Sequence, residues 1–432
     1  MHRTTDWKTT SGLAATLILL QGCTESGLQS SESTAGLALP SGFSATVFAD
    51  DIGRARHIAV RENGDVYVAL RTGAVVRNAD GPGGLVALRD NDGDGTADVR
   101  LPFGPDDVDT GLAVHDGSLY FSTPSAVYVI ELDAGLAPRS DPELVVGGFP
   151  EQTSHTAKPI AFDTEGHLYV NSGAPSNACQ EQARTPDSPG LQPCPQLERS
   201  GSIWRFIGEY RQQDQLDDGT RFTTGSRQVV ALEYNSMDEQ LYLVMHGRDQ
   251  LDTLWPDLYT EADRIEVPAE EFHAVNQGDD FGWPYTYWDP RTNQRMVAPE
   301  YDGNGETAVE AGRYKRPLVA FPAHYAPNDL IFYSGDQFPA RYYGGAFVAF
   351  HGSWNRAPTE QGGYNVVFVP RQNSPAAGEW QVFADGFAGT DSVASPGDAQ
   401  HRPTGLAQGP GGSLYVTDDV GGRIWKISYT GD

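Results

Sequence analysis

One phrase recurs six times along the chain: an apolar start, a polar turn, then an apolar run carrying Tyr or Phe. It spans His57 to Leu70 as HIAVRENGDVYVAL and returns from Gly111 as GLAVHDGSLYFST. It follows again from Pro159 (PIAFDTEGHLYVNSG) and from Val230 (VALEYNSMDEQLYLVMHG). A longer copy starts at Asp329 (DLIFYSGDQFPARYYGGAFVAFHG) and the last at Gly405 (GLAQGPGGSLYVTDD). Each copy reads as two β-period runs joined by a turn, which is a hairpin. A lone hairpin buries too little to stand in water, so repeated hairpins must pack against one another. Six of them predict an all-β, six-bladed β-propeller. An irregular sandwich or two β-domains are the alternatives. The chain is 432 residues long, which one large all-β domain can absorb. The wide gaps, near Cys179–Cys194 and between His273 and Arg316, read as loop insertions on one face.

The first residues do not belong to this pattern. Arg3 and Lys8 precede a short apolar run, Gly12 to Leu20, too short to span a bilayer. Leu20-Gln21-Gly22-Cys23 then resembles a bacterial lipobox, which makes 1–22 a lipoprotein signal peptide and Cys23 the lipidated residue. Thr24 stands where an Asp would signal inner-membrane retention, so the periplasmic face of the outer membrane is expected. Residues 23–37 read as a Ser/Thr/Gly-rich tether, and 38–432 as the propeller domain. No other stretch suits a membrane span, so contact with a membrane is expected through the anchor only.

An exported chain meets an oxidising compartment, where the two remaining cysteines, Cys179 and Cys194, can pair. Closing a loop of about 15 residues is worth about 3 kcal/mol in the chain-entropy picture. Two free thiols are the alternative. Formal net charge is -28 and the sequence pI is near 4.6. Such a chain repels a phosphate backbone, so nucleic acid is not an expected partner.

Polar residues just ahead of each hairpin would converge at the mouth of a propeller channel. They form an unusual set: Arg54 and Arg56, His155, Arg227 with Gln228, and His401 with Arg402. Arginines around a histidine suit a planar anionic ligand beside a proton acceptor.

Five motifs carry a resemblance: His351-Gly-Ser-Trp-Asn-Arg356, Phe281-Gly-Trp-Pro284, His246-Gly-Arg-Asp249, Ser176-Asn-Ala-Cys179 and Arg402-Pro-Thr-Gly405. With them, residues 38 to 430 resemble the pyrroloquinoline quinone (PQQ)-dependent sugar dehydrogenases of the sorbosone and pyranose dehydrogenase type, relatives of soluble glucose dehydrogenase. The resemblance implies six blades of four antiparallel strands, with PQQ over the channel and a calcium ion on it. It implies oxidation of an aldose or related alcohol, with electrons passed to an external acceptor such as a quinone or cytochrome. His155 matches the catalytic base and Arg227 an arginine at the quinone oxygens. Gln228 follows, where the family often has Asn. Gly247 and Arg248 match the loop whose carbonyls hold calcium, and Arg402 an arginine on a PQQ carboxylate. Arg56, His351 and Arg356 are further cofactor candidates, and Asn355 stands with them where glucose dehydrogenase has a lysine.

A separate acidic stretch, Asp90-Asn-Asp-Gly-Asp-Gly-Thr-Ala-Asp98, places Asp90, Asp92, Asp94 and Asp98 at even spacing around Gly95. It follows the start of an EF-hand loop but has Leu101 where the closing Glu belongs. A structural calcium or a solvated turn would each account for it. A calcium-dependent lactonase or a non-catalytic ligand-binding propeller are the competing functional readings. The Arg- and His-rich channel set argues against the first, and the presence of His155 and Arg227 against the second. Fold alone decides neither.

Overall fold

Each of the six repeated phrases forms the two innermost strands of one antiparallel sheet. The computed structural model describes residues 28–30, 34–71, 83–138, 140–371 and 379–431. Cys23 and residues 1–22, the expected signal peptide, lie outside the described residues. Blade 1 comprises Ala55–Val60, Val66–Leu70, Gly84–Arg89 and Val99–Phe103. Blades 2 to 5 begin at Leu112, Ile160, Val229 and Pro327, and each has four antiparallel strands in chain order. Blade 2 gains a fifth strand, because Gln213–Asp214 returns from blade 3 to pair in parallel with Glu143–Gly147. Blade 6 is closed by both ends of the chain: Phe43–Ala49 pairs with Ile424–Tyr429 as its outer strand. The exchange ties the first blade to the last and seals the ring.

Strand sequences here are apolar on both faces, because each inner sheet is covered by a blade on either side. Val66–Leu70 and Ala346–Phe350 are buried at every position, whereas the outer strand Val99–Phe103 is largely exposed. Six core clusters result, one at each blade interface. Between blades 1 and 2, for example, Tyr67 and Leu85 pack on Leu119 and Phe121. Between blades 5 and 6, Phe347 and Phe383 pack near Leu406 and Trp425.

Turn chemistry sets the hairpin registers. In blade 3 the Asp163 carboxylate accepts from the backbone of Glu165 and His167, from the His167 ring and from the Tyr169 hydroxyl. Gly166 in the same turn has φ +83°, which a side chain would resist.

The two insertions meet. The 173–201 loop carries the Cys179–Cys194 disulfide, and 276–318 contributes Trp283 and Tyr285 against it. The Trp283 indole donates to the Asn177 carbonyl at 2.9 Å, and Tyr285 Oη accepts from Cys194 N at 3.0 Å. Gln29–Ser30, inside the stretch expected to be a tether, pairs with Ala38–Leu39. No helix among the described residues is long and apolar enough to cross a membrane.

Candidate functional site at the channel mouth

The first strands of the six blades neighbour one another in a ring. Residues just before them therefore gather at one end of the channel. The antiparallel pairing brings a second set to the same end, because each second strand finishes where the first begins. Ala55 pairs with Leu70, Val229 with Met245, Pro327 with Phe350 and Pro403 with Asp418. The residues that follow, Arg71, His246, His351 and Asp419, stand opposite the entering ones.

Together they enclose a cavity of about 430 Å³, within the range of a small-molecule site. Arg54, Arg56, Arg71, Arg227 and Arg402 line it against two carboxylates, Asp249 and Asp419. A mouth with five guanidiniums and two carboxylates is cationic in a chain whose net charge is -28. Such a local reversal favours an anionic ligand.

Each carboxylate organises a cationic half-site. Asp419 accepts from Arg56 at 3.0 Å and pairs with His351 Nε2 at 2.7 Å. Arg402 donates to the His351 carbonyl and lies over the Tyr364 ring. On the other side, Arg227 donates to Asp249 at 2.6 Å and to the Gly247 carbonyl at 2.9 Å. Asp249 also accepts from Arg184 and Asn355, at 2.9 Å each. These cations hold both carboxyls well below the usual carboxylate range, against the opposing effect of burial.

His155 occupies the middle with a left-handed backbone, φ 54°. Its Nδ1 lies 2.5 Å from the Ala174 carbonyl, which can only accept. The proton therefore sits on Nδ1, and Nε2 keeps its lone pair. Burial, helped by the nearby Arg227 charge, pushes the ring down to about 3. Gly173 beneath it has no room for a side chain: a Cβ there would stand 2.0 Å from Gln228 Oε1 and 2.6 Å from the His155 carbonyl.

The sequence-predicted residues divide. Arg56, His155, Arg227, Gln228, His351, Arg402 and Asn355 all line the cavity, as does Arg54. Arg248 does not present its side chain there; the buried guanidinium pairs with Glu300 of the 276–318 insertion. Arg356 is likewise spent elsewhere, on the carbonyls of Ile265 and Ala323 and over the Tyr325 ring. His401 turns to Asp418 and packs edge-on to Trp425. Gly247 does not line the cavity; its amide donates to the buried Glu270 carboxyl at 2.8 Å and its carbonyl accepts from Arg227. Arg71, His246, Asp249 and Asp419 were not singled out individually. The signal that could have found them is their place at the end of a repeated phrase.

In the acidic stretch, ligand oxygens of Asp90, Asp92 and Asp98 lie within 4.8 Å of one another. Asp94 is outside that group and accepts from Thr96 N at 2.7 Å. Gly95 has φ +91° and supplies the sharp turn. The cysteines form the expected disulfide, Cα atoms 6.2 Å apart, which belongs in an oxidising, extracellular or periplasmic setting.

The fold and site define a class: a six-bladed propeller with a cationic, histidine-centred cavity at one end of its channel. The chain belongs to the TrAA12-like family, whose model matches residues 37–430. Among curated proteins, a PQQ-dependent pyranose dehydrogenase of Coprinopsis cinerea is 32% identical over 257 residues, covering 51% of this chain and 32% of that one. An uncharacterized protein of Borreliella burgdorferi is 25% identical over 207 residues, 48% of each chain. The chain thus spans less than half the length of these curated relatives. Of solved structures, the PQQ domain of the Coprinopsis cinerea enzyme superposes with a TM-score of 0.70 at 18% identity, over 91% of this chain and 97% of that one. The PQQ-bound aldose sugar dehydrogenase of Streptomyces coelicolor gives 0.53 at 16% identity, over 90% and 99%. At those identities the superpositions show the shared fold.

Proposed function

We propose that this protein is a PQQ- and calcium-dependent dehydrogenase that oxidises an aldose or related alcohol and passes electrons to an external acceptor. The observation that carries the reading is the pairing of five cavity arginines with a histidine whose tautomer leaves a basic nitrogen. PQQ bears three carboxylates and an ortho-quinone, and the donor set suits it. Arg56 and Arg227 each keep a buried Nε without a hydrogen-bond partner, whereas Arg71 Nε is paired with Asp109 at 2.8 Å. Arg56 and Arg402 on one side and Arg227 on the other would hold carboxylates and quinone oxygens. For calcium, the Gly247 carbonyl, which also accepts from Arg227, and the Arg248 carbonyl would supply oxygen donors, together with the buried, unpartnered Oδ1 of Asn355. When bound, the quinone supplies the two-electron sink.

The chain's own residues do the rest. His155 Nε2 takes the hydroxyl proton of the substrate as its C–H bond breaks. Ala174 fixes the ring that accepts it, and Asp249 keeps Arg227 in place. A carboxylate-bearing ligand would also raise the His155 pKa toward its working range. A hydrolytic reading needs free carboxylates on a metal, whereas Asp249 and Asp419 are both engaged by arginine. We also propose that Cys23 is lipidated, which would place the domain on the periplasmic face of the outer membrane.

The test is titration of the purified protein with PQQ and calcium while dye reduction is followed across a panel of aldoses and alcohols. His155→Ala should keep PQQ affinity and lose about 10²–10⁴-fold in turnover. Near-normal turnover in the PQQ-loaded variant would refute the assigned base.

A further inference from the structure

The cavity wall mixes arginines, histidines and two carboxylates with small residues such as Ala157, Val230 and Ala326, and two exposed apolar side chains also line it. Trp354 is 54% exposed and Val420 is 51% exposed, and both line the cavity. Single exposed apolar residues need no explanation. These two differ because both line the same cavity, beside the arginines and His155.

The turn that carries the indole is braced. Ser353 caps the short helical turn Trp354–Arg356 by accepting from Asn355 N, and its hydroxyl donates to the His324 carbonyl at 3.1 Å. Asn355 donates to Asp249, the carboxylate that also fixes Arg227. Arg356 anchors the end of the turn on two carbonyls. Among the described residues the indole N–H has no acceptor, so it is available to a hydroxyl from solution. An exposed indole on a braced turn, with a free donor, suits one ligand chemistry well: a pyranose ring, with an apolar C–H face and hydroxyl edges.

Resting on the dehydrogenase reading above, we infer that Trp354 is the platform of a second saccharide subsite, so that the substrate class is an oligosaccharide. A cavity of about 430 Å³ shared by a tricyclic cofactor and one sugar ring leaves the next ring outside, over the rim. Trp354 would stack on that ring and Val420 would flank it. The ring that reacts would sit below, against His155 and the arginines.

The experiment measures binding of cellobiose and of glucose to the full chain by calorimetry, for the parent, Trp354→Ala and Trp354→Phe. The parent should bind cellobiose more tightly than glucose. Trp354→Ala should weaken cellobiose binding about three- to tenfold, the range of an aromatic stacking contact, and glucose binding less. Trp354→Phe should recover most of the loss, which a purely structural role would not require. Equal affinity of the parent for the two sugars, no binding of either, or equal losses for both in Trp354→Ala would overturn the subsite. Turnover with PQQ and calcium is recorded separately. A parent that binds cellobiose in the expected pattern but oxidises no sugar refutes the dehydrogenase reading and leaves the platform standing.

Discussion

Replacing Asp249 with Asn removes one charge from the middle of the site and almost no volume. Asp249 accepts from Arg227, Arg184 and Asn355 on its carboxylate, and its backbone N–H donates to Asn177 Oδ1. The contributions are unequal. The Arg184 side chain is 42% exposed, so its share is the small one of a surface pair. Arg227 is 4% exposed and has no other anion as partner among the described residues. In Asp249→Asn its guanidinium becomes a buried, uncompensated cation, and one amide N–H₂ faces guanidinium donors. Breaking a buried pair from one side costs about 3–5 kcal/mol. At about 2.1 cal/mol/K per residue, the melting temperature of a 432-residue chain moves by about 1 °C per kcal/mol, so a fall of about 3–5 °C is expected. The double variant Asp249→Asn/Arg227→Gln should recover most of that loss, because the orphaned charge leaves with its partner. PQQ should raise the melting temperature of Asp249→Asn more than that of the parent, since an incoming carboxylate answers the unpaired cation. Urea or thermal unfolding of the four proteins, with and without PQQ, measures each quantity. A loss below about 1 kcal/mol in Asp249→Asn, or additive losses in the double variant, would refute the view that Asp249 holds Arg227 electrostatically.

Two further outcomes are expected. Burial holds the His324 ring down to about 4, so it stays neutral while an unfolded histidine takes up a proton below about 6.5. A lowered histidine pKa means that stability is lost as pH falls from about 6.5 toward 4, by about 2 kcal/mol at pH 5. Between pH 8 and pH 5, His324→Asn should therefore lose about 2 kcal/mol less stability than the parent, and a ring titrating near 6.5 by NMR would contradict this. Cys23→Ser should release the protein from membrane fractions, and identical fractionation of variant and parent would end the anchor proposal.

The architecture was legible because it is written locally. Each hairpin has its own alternating strands and turn residues, and a six-fold repeat of such a unit has few ways to bury its faces. All six predicted hairpins are the inner strands of a blade. Arg54, His155, Arg227 and Arg402 ahead of their strands, and Arg56 at the start of one, were legible for the same reason, since equivalent positions in a repeat reach equivalent places. Trp283 and the Cys179–Cys194 pair could be noted as motif and bond, but not as neighbours. They lie about 100 residues apart, and only the meeting of two insertions joins them.

What the tertiary structure decided is where long polar side chains point. Arg248 and Arg356 sit in motifs beside the site, and spacing gives no reason to exclude them. Glu300 from a distant insertion claims one, and the carbonyls of Ile265 and Ala323 claim the other. Asp249 and Asp419 looked like ordinary acids in an acidic chain. Their role depends on Arg227 and on Arg56, the latter 363 residues away from Asp419 and brought beside it only when the last blade closes on the first. Local periodicity could specify six blades and the end of the channel where side chains gather. The charge balance of the cavity needed the closed ring as well, because Arg227 and Asp249 meet across one hairpin but Arg56 and Asp419 meet only where the last blade closes on the first.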